Sequence, residues 1–232
     1  MRVEDTQRTY PVRAVIVMGV SGCGKTAIGS RMASMLGPAP FIDADTLHPP
    51  QNINKMAQGI ALSDSDRWPW LRRVREQIDV EANMLLASQG AIPQQTHATT
   101  NDSRTDDIVC PQLYVVCGCS ALKRSYRELL SQNHPDKPAE NQTYDIVFVY
   151  VSVERQELAR RLEQRKNHFF DPSLLDSQLN TLEPPDCVRE AAIIIDGNQP
   201  VEVAAVDACV SVKNYRRSRS PIDLLDVDLN EE

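Results

Sequence analysis

A chain of 232 residues, 41% hydrophobic and 25% charged, is long enough to bury one α/β core and short for two. Its 25 Lys and Arg against 32 Asp and Glu give a net charge of -7, which argues against the broad cationic face that nucleic acid or anionic lipid would need. No run approaches the roughly 18 apolar residues of a membrane span, and the opening MRVEDTQRTY carries no signal-peptide core, so a cytoplasmic protein with no nucleic-acid or membrane partner is expected.

The first element is the apolar, β-branched run Ala14 to Met18, which suits a strand buried on both faces of a parallel sheet. Glycines follow it at once. From Lys25 to Leu36 the apolar residues Ile28, Met32, Met35 and Leu36 fall at helical spacing. Phe41 to Asp45 reads as a second strand ending in two carboxylates. Polar residues dominate Ser88 to Asp107, where apolar periodicity vanishes and a surface insertion is expected. Leu113 to Cys117 and Ile146 to Val151 read as further buried strands, each followed by a charged helical stretch, Ala121 to Leu130 and Glu154 to Lys166. Ala192 to Ile195 makes a fifth strand.

Strands alternating with helices in this way predict an α/β fold, a five-stranded parallel sheet with helices on both faces and right-handed crossovers. The expected organisation is an extension over 1–11, one domain over 12–212 with its polar insertion near 88–107, and an acidic, disordered tail over 213–232. Six cysteines include one close pair, Cys117 and Cys119, at a spacing that suits no zinc site, so reduced and buried thiols are expected.

Gly19-Val20-Ser21-Gly22-Cys23-Gly24-Lys25-Thr26 fits GxxxxGK(S/T) between a predicted strand and a predicted helix, the context that motif needs. Glycines let successive N–H groups turn inward on a phosphate, and the helix N-terminus adds partial positive charge. Lys25 can then reach the β and γ phosphates of ATP while Thr26 offers its hydroxyl to Mg²⁺. If the second strand runs on through Asp45, Asp43 and Asp45 share one face beside this loop. One carboxylate can hold the metal through water while the other takes a hydroxyl proton. The pattern itself does not choose which of the two is the base; the assignment adopted gives the metal to Asp43 and the alcohol to Asp45.

Beyond the acid pair stand His48-Pro49-Pro50-Gln51-Asn52, Lys55-Met56, a glycine, and Leu62-Ser63-Asp64-Ser65-Asp66-Arg67-Trp68-Pro69-Trp70-Leu71. Further on come Cys119-Ser120-Ala121-Leu122-Lys123 with Tyr126 and Arg127, and then Arg161-Leu162-Glu163 with Arg165-Lys166-Asn167-His168-Phe169-Phe170. In this order, from about residue 14 to residue 210, these blocks resemble the gluconate kinase family. The resemblance implies a P-loop kinase three-layer sandwich with a small lid, related to shikimate and adenylate kinases. It implies transfer of the ATP γ-phosphoryl group to the 6-hydroxyl of D-gluconate with Mg²⁺, and a possible homodimer.

On that reading Arg67 grips the substrate carboxylate, Asp45, His48 and Asn52 meet the polyol, and Lys123 and His168 add to the acceptor site. Arg161 and Arg165 belong to the nucleotide and its lid, with Arg165 bearing on the transition-state charge. Plainer roles compete at several positions. Asp64 could cap a helix starting near Arg67, His48 could simply pack, Lys123 and Arg127 could sit on a solvated helical face, and Arg161 could merely pair with Glu157 four residues earlier. Ala44, Ala61 and Asn167 depart from the family's commonest wording without removing a charge. The competing functions are a related kinase for another hydroxy acid such as shikimate, and a non-catalytic nucleotide-binding regulator.

Overall fold

Every residue of Val12–Met18 is buried, as an apolar strand between two layers of helices requires. Its side chains divide by parity. Ala14, Ile16 and Met18 join a core with Trp70, Leu71, Val74 and Ile78, whereas Val15 and Val17 join a second core with Ile28, Met32, Ala204, Ala205 and Ala208. Successive Cβ atoms of a strand point to opposite faces, so one strand serves two cores and the architecture has three layers.

The computed structural model describes residues 12–90, 113–131, 144–164 and 172–215. In chain order the elements are β1 (Val12–Met18), α1 (Lys25–Met35), β2 (Phe41–Asp43), a 3₁₀ turn (Ala44–Leu47), α2 (Pro50–Ala57) and α3 (Asp64–Gly90). They continue with β3 (Leu113–Gly118), α4 (Arg124–Leu130), β4 (Tyr144–Ser152), α5 (Arg155–Glu163), α6 (Pro172–Thr181), β5 (Ala192–Asp196) and α7 (Val201–Asn214). The strands form one sheet in the order β2-β3-β1-β4-β5, parallel throughout, as the alternating pattern predicts. Helices α3 and α4 cover one face, and α1, α5 and α7 cover the other. No helix among the described residues is long and apolar enough to cross a membrane.

Register decides what meets what. Val17 of β1 lies opposite both Gly118 of β3 and Val149 of β4, and Asp43 of β2 also lies opposite Gly118. The carboxyl ends of these strands therefore reach one edge together, where open α/β sheets bind their ligands.

Three expected boundaries move. The helix predicted from Ala121 starts at Arg124, because Ala121 sits in the left-handed region with φ 43 and Lys123 is extended with ψ 151. The insertion predicted from Ser88 is still helical to Gly90, the end of α3, and the rest of it lies outside the described residues. The tail expected from 213 also starts later, because α7 carries the chain to Asn214; the extension over 1–11 and the residues from 216 onward lie outside the described residues.

Arg127 accounts for the Ala121 conformation. Rather than standing on a solvated face it is 1% exposed, with Nε and Nη2 donating to the Glu190 carboxylate at 2.6 and 2.9 Å. Its Nη1 donates to the carbonyls of Ala121, Leu122 and Glu183 at 3.2, 3.2 and 2.9 Å. A guanidinium buried with its carboxylate and three carbonyls fixes the turn that delivers Lys123.

Candidate active site

The phosphate loop leaves β1 at Gly19, whose N–H donates to the Ser120 carbonyl at 3.3 Å. A Cβ at this position would stand 2.9 Å from Cys23 Sγ and 3.1 Å from the Val151 carbonyl, so only glycine passes. Gly24, the N-cap of α1, has φ 97 and turns the chain into the helix at little steric cost. No acidic residue stands in the first turn of α1, so the positive end of its dipole is left for an anion. Lys25, the first helical residue, is 9% exposed, and no ion pair holds it among the described residues. Thr26 beside it is exposed. Burial raises the Cys23 thiol above its ordinary range, so this cysteine packs the loop as a neutral group.

Two long-range contacts brace the loop. Arg161 of α5 pairs with Glu157 through Nε at 2.7 Å, while its Nη1 and Nη2 donate to the carbonyls of Cys23 and Gly197 at 3.4 and 2.8 Å. The helical pairing and the loop contact are thus made by one guanidinium. From α6, Gln178 meets Ser21 twice: the Ser21 N–H donates to Oε1 at 2.7 Å and Nε2 donates to Ser21 Oγ at 3.0 Å.

The acid pair is arranged differently from the strand expectation. Strand β2 stops at Asp43, whose Oδ1 accepts the Asp45 N–H at 3.1 Å. That bond caps the Ala44–Leu47 turn, so Asp45 leaves the strand and strict alternation does not set its direction. Asp43 itself stays opposite Gly118, at the carboxyl edge of the sheet. Burial, first, and the charges of Asp45 and Asp43 push the buried Cys119 thiol up to about 12, against the opposing backbone hydrogen bond at Ala121 and the charge of Lys25. Cys119 is therefore a neutral, packed thiol.

The third part of the site is a wall of side chains from the 3₁₀ turn to α4. Trp70 donates its indole N–H to the Ala44 carbonyl at 2.7 Å and stacks on His48 with ring centroids 4.1 Å apart. Asn52 donates Nδ2 to the Asp66 carbonyl at 2.9 Å and meets His48 Nδ1 at 3.2 Å. Since the amide nitrogen can only donate, Nδ1 accepts and the ring hydrogen resides on Nε2. Burial, first, lowers the His48 pKa to about 4, so the imidazole is neutral near pH 7. His48 packs, and its packing fixes which nitrogen can donate.

Ser63 caps α3. Its N–H and hydroxyl reach the Asp66 carboxylate at 2.9 and 2.7 Å, while Lys55 completes that carboxylate at 2.7 Å. This is a capping box with aspartate in the third helical position. Asp64, read from the sequence as a possible cap, is instead free to bridge to α4: it accepts Lys123 Nζ at 2.8 and 2.7 Å and the Tyr126 hydroxyl at 2.6 Å. Those bonds, the one from Lys123 foremost, hold its carboxyl below the ordinary range. Burial and the bond to Asp64 push the Tyr126 phenol up to about 12. Arg67 stands over the Tyr126 ring at 5.9 Å, and among the described residues no carboxylate forms an ion pair with it.

Thus Lys25 and Thr26 open α1, Asp43 ends β2 with Asp45 in the turn it caps, His48 and Asn52 touch, and Arg67 and Lys123 share the Tyr126 ring. Arg165 and His168 lie outside the described residues. Gln178 was not anticipated, and no local pattern marks it, because its partner Ser21 is 157 positions away.

Comparison with known proteins adds a family. No family model matches the chain. A probable gluconokinase of Xenopus tropicalis is 37% identical over 206 residues, covering 86% of this chain and 94% of that protein. A gluconokinase of Gluconobacter oxydans is 38% identical over 185 residues, 80% of this chain and 83% of the relative. The crystal structure of a gluconokinase from Sinorhizobium meliloti superposes with a TM-score of 0.63 at 33% identity, over 95% of this chain and 99% of that one.

Proposed function

The chain belongs to the gluconokinase family, and we propose that it transfers the γ-phosphoryl group of ATP to the 6-hydroxyl of D-gluconate, giving 6-phospho-D-gluconate and ADP. The observation that carries this reading is a buried lysine with no ion pair among the described residues, at the head of a helix that has no acid in its first turn, with Asp43 at the carboxyl edge of the sheet and Asp45 in the turn that Asp43 caps.

These residues fit a magnesium nucleotide. The glycine cradle admits no Cβ at Gly19, the Lys25 ammonium and α1 N-terminus suit phosphate, and Thr26 with Asp43 would hold Mg²⁺. Among the described residues no group of three or more His, Cys, Asp or Glu could hold a metal ion. That suits an ion that is carried in with phosphate oxygens and keeps several waters. Bound Mg²⁺ would offset the charge that shifts between phosphate oxygens during transfer.

The protein's own part is to orient and to move one proton. Asp45 takes the hydroxyl proton of the acceptor as the new P–O bond forms and the bond to the departing ADP oxygen breaks. Lys25 follows the negative charge on the phosphate oxygens. Arg67 meets the gluconate carboxylate in a bidentate pair, and Lys123 reinforces it while held by Asp64. His48 donates Nε2–H to a substrate hydroxyl and Asn52 keeps that tautomer in place. Arg161 borders the nucleotide beside Gly197, and Arg165 and His168, outside the described residues, are assigned to the nucleotide and the substrate respectively.

A coupled assay with Mg-ATP against gluconate, shikimate, simple sugars and nucleoside monophosphates tests this. Turnover is expected with gluconate at least 100-fold above the others, as roughly follows when a buried charge loses its partner. Preferred turnover of shikimate or of a nucleotide would transfer the same machinery to another acceptor and end the gluconate assignment.

A further inference from the structure

Gln178 belongs to none of the motifs given a role above, yet it makes two hydrogen bonds to a residue inside the phosphate loop. Their pattern is informative. A backbone N–H can only donate, so the Ser21 amide at 2.7 Å requires Oε1 of Gln178 to face it. That fixes the other end of the side-chain amide, and Nε2 donates to Ser21 Oγ at 3.0 Å. With an oxygen lone pair engaged in this way, the Ser21 hydroxyl hydrogen is turned away from α6 and is left to donate elsewhere. The same pairing removes the Ser21 N–H from the amides that can meet a phosphate, so the hydroxyl becomes this position's contribution to the loop.

The surroundings choose the acceptor. Ser21 lies between Gly19 and the head of α1, where Lys25 and an unneutralised helix N-terminus favour an anion. We propose that Gln178 is a positioning residue for phosphoryl transfer: it holds the Ser21 hydroxyl as a donor to a terminal phosphate oxygen and ties helix α6 to the loop. This rests on reading Gly19 to Thr26 as the seat of ATP. It assigns a role to α6 that the loop motif does not contain.

The test uses the full-length enzyme with Gln178→Ala, Gln178→Glu and Ser21→Ala, alone and combined, read as kcat at saturating Mg-ATP and gluconate. Calorimetric binding of Mg-ATP to the unaltered protein is measured first, and its absence would end the ATP reading itself rather than the role of Gln178 alone. Gln178→Ala and Ser21→Ala should each lower kcat roughly 10- to 100-fold, the range for a hydrogen bond to a charged group, with the KM for gluconate changed less than about twofold. The double variant should fall no further than either single one. Glutamate is nearly isosteric and can still accept both the Ser21 N–H and O–H, but it reverses the hydroxyl. Gln178→Glu should therefore match the alanine variant in kcat and add nothing in the Ser21→Ala background. Wild-type kcat in Gln178→Ala, rescue by Gln178→Glu, additive losses in the double variant, or a further loss from glutamate without the serine hydroxyl would each overturn the proposal.

Discussion

The phosphate loop is shaped by main chain, with Gly19 wedged against Cys23 and the Val151 carbonyl, whereas the wall across from it is shaped by charged side chains already engaged with one another. Lys25 has no ion pair among the described residues and Thr26 is exposed. Lys123, Asp64 and Tyr126 form one cluster, and Lys55, Asp66 and Ser63 another. A loop made of amides offers the same donors to any nucleotide phosphate. A wall of paired side chains fixes distances between charges, which is what discrimination among hydroxy acids needs. Affinity for the nucleotide and choice of the acceptor are therefore separable by mutation.

The strongest break is on the loop side. Lys25→Ala should cost about 10³-fold in kcat/KM, and Asp45→Ala about 10²- to 10³-fold, with the unfolding midpoint preserved, as expected for removing transition-state charge stabilisation and a proton acceptor. Wild-type-like turnover in both would remove the site assignment. Next comes the support of the wall. Arg127→Met leaves the Glu190 carboxylate without the guanidinium that buries it, and denaturant unfolding should show a loss of about 3–5 kcal/mol. The KM for gluconate should rise with the Ala121–Lys123 turn loosened while Mg-ATP binding persists.

Arg67→Ala should raise the KM for gluconate roughly 10- to 100-fold and leave the KM for ATP within about twofold. Equal losses for both substrates would contradict the division between loop and wall.

The smallest effect concerns protons. The folded-state pKa of His48 is lowered to about 4 from 6.5, so between those values the unfolded chain takes a proton that the folded chain refuses. Stability contributed by neutral His48 is present in full above pH 6.5 and is lost as the pH falls toward 4. His48→Gln should flatten that part of the stability profile, which urea titrations at several pH values would read. An unchanged slope would mean that the imidazole titrates freely.

Much of this organisation was legible in the sequence, for reasons that can be named. Buried parallel strands must be apolar runs, so β1, β3 and β4 declared themselves. The phosphate loop did too, because backbone geometry dictates its glycines. Local patterns misled where a side chain bonded its own backbone. Asp43 takes the Asp45 N–H and ends the strand, and Ser63 captures the cap position that Asp64 could have filled. They were silent where partners are far apart in sequence. Arg127 meets Glu190 at a separation of 63 and Gln178 meets Ser21 at 157, and helical spacing alone made the former look solvated.

The pairing of Trp70 with His48 has a practical corollary. The chain holds two tryptophans, one stacked on that imidazole and the other, Trp68, set edge-on to Tyr126. All indole emission therefore originates beside the proposed gluconate seat and none from the nucleotide side. An unlabelled sample should report sugar-acid docking through its own fluorescence, with ATP titrations providing the optical control.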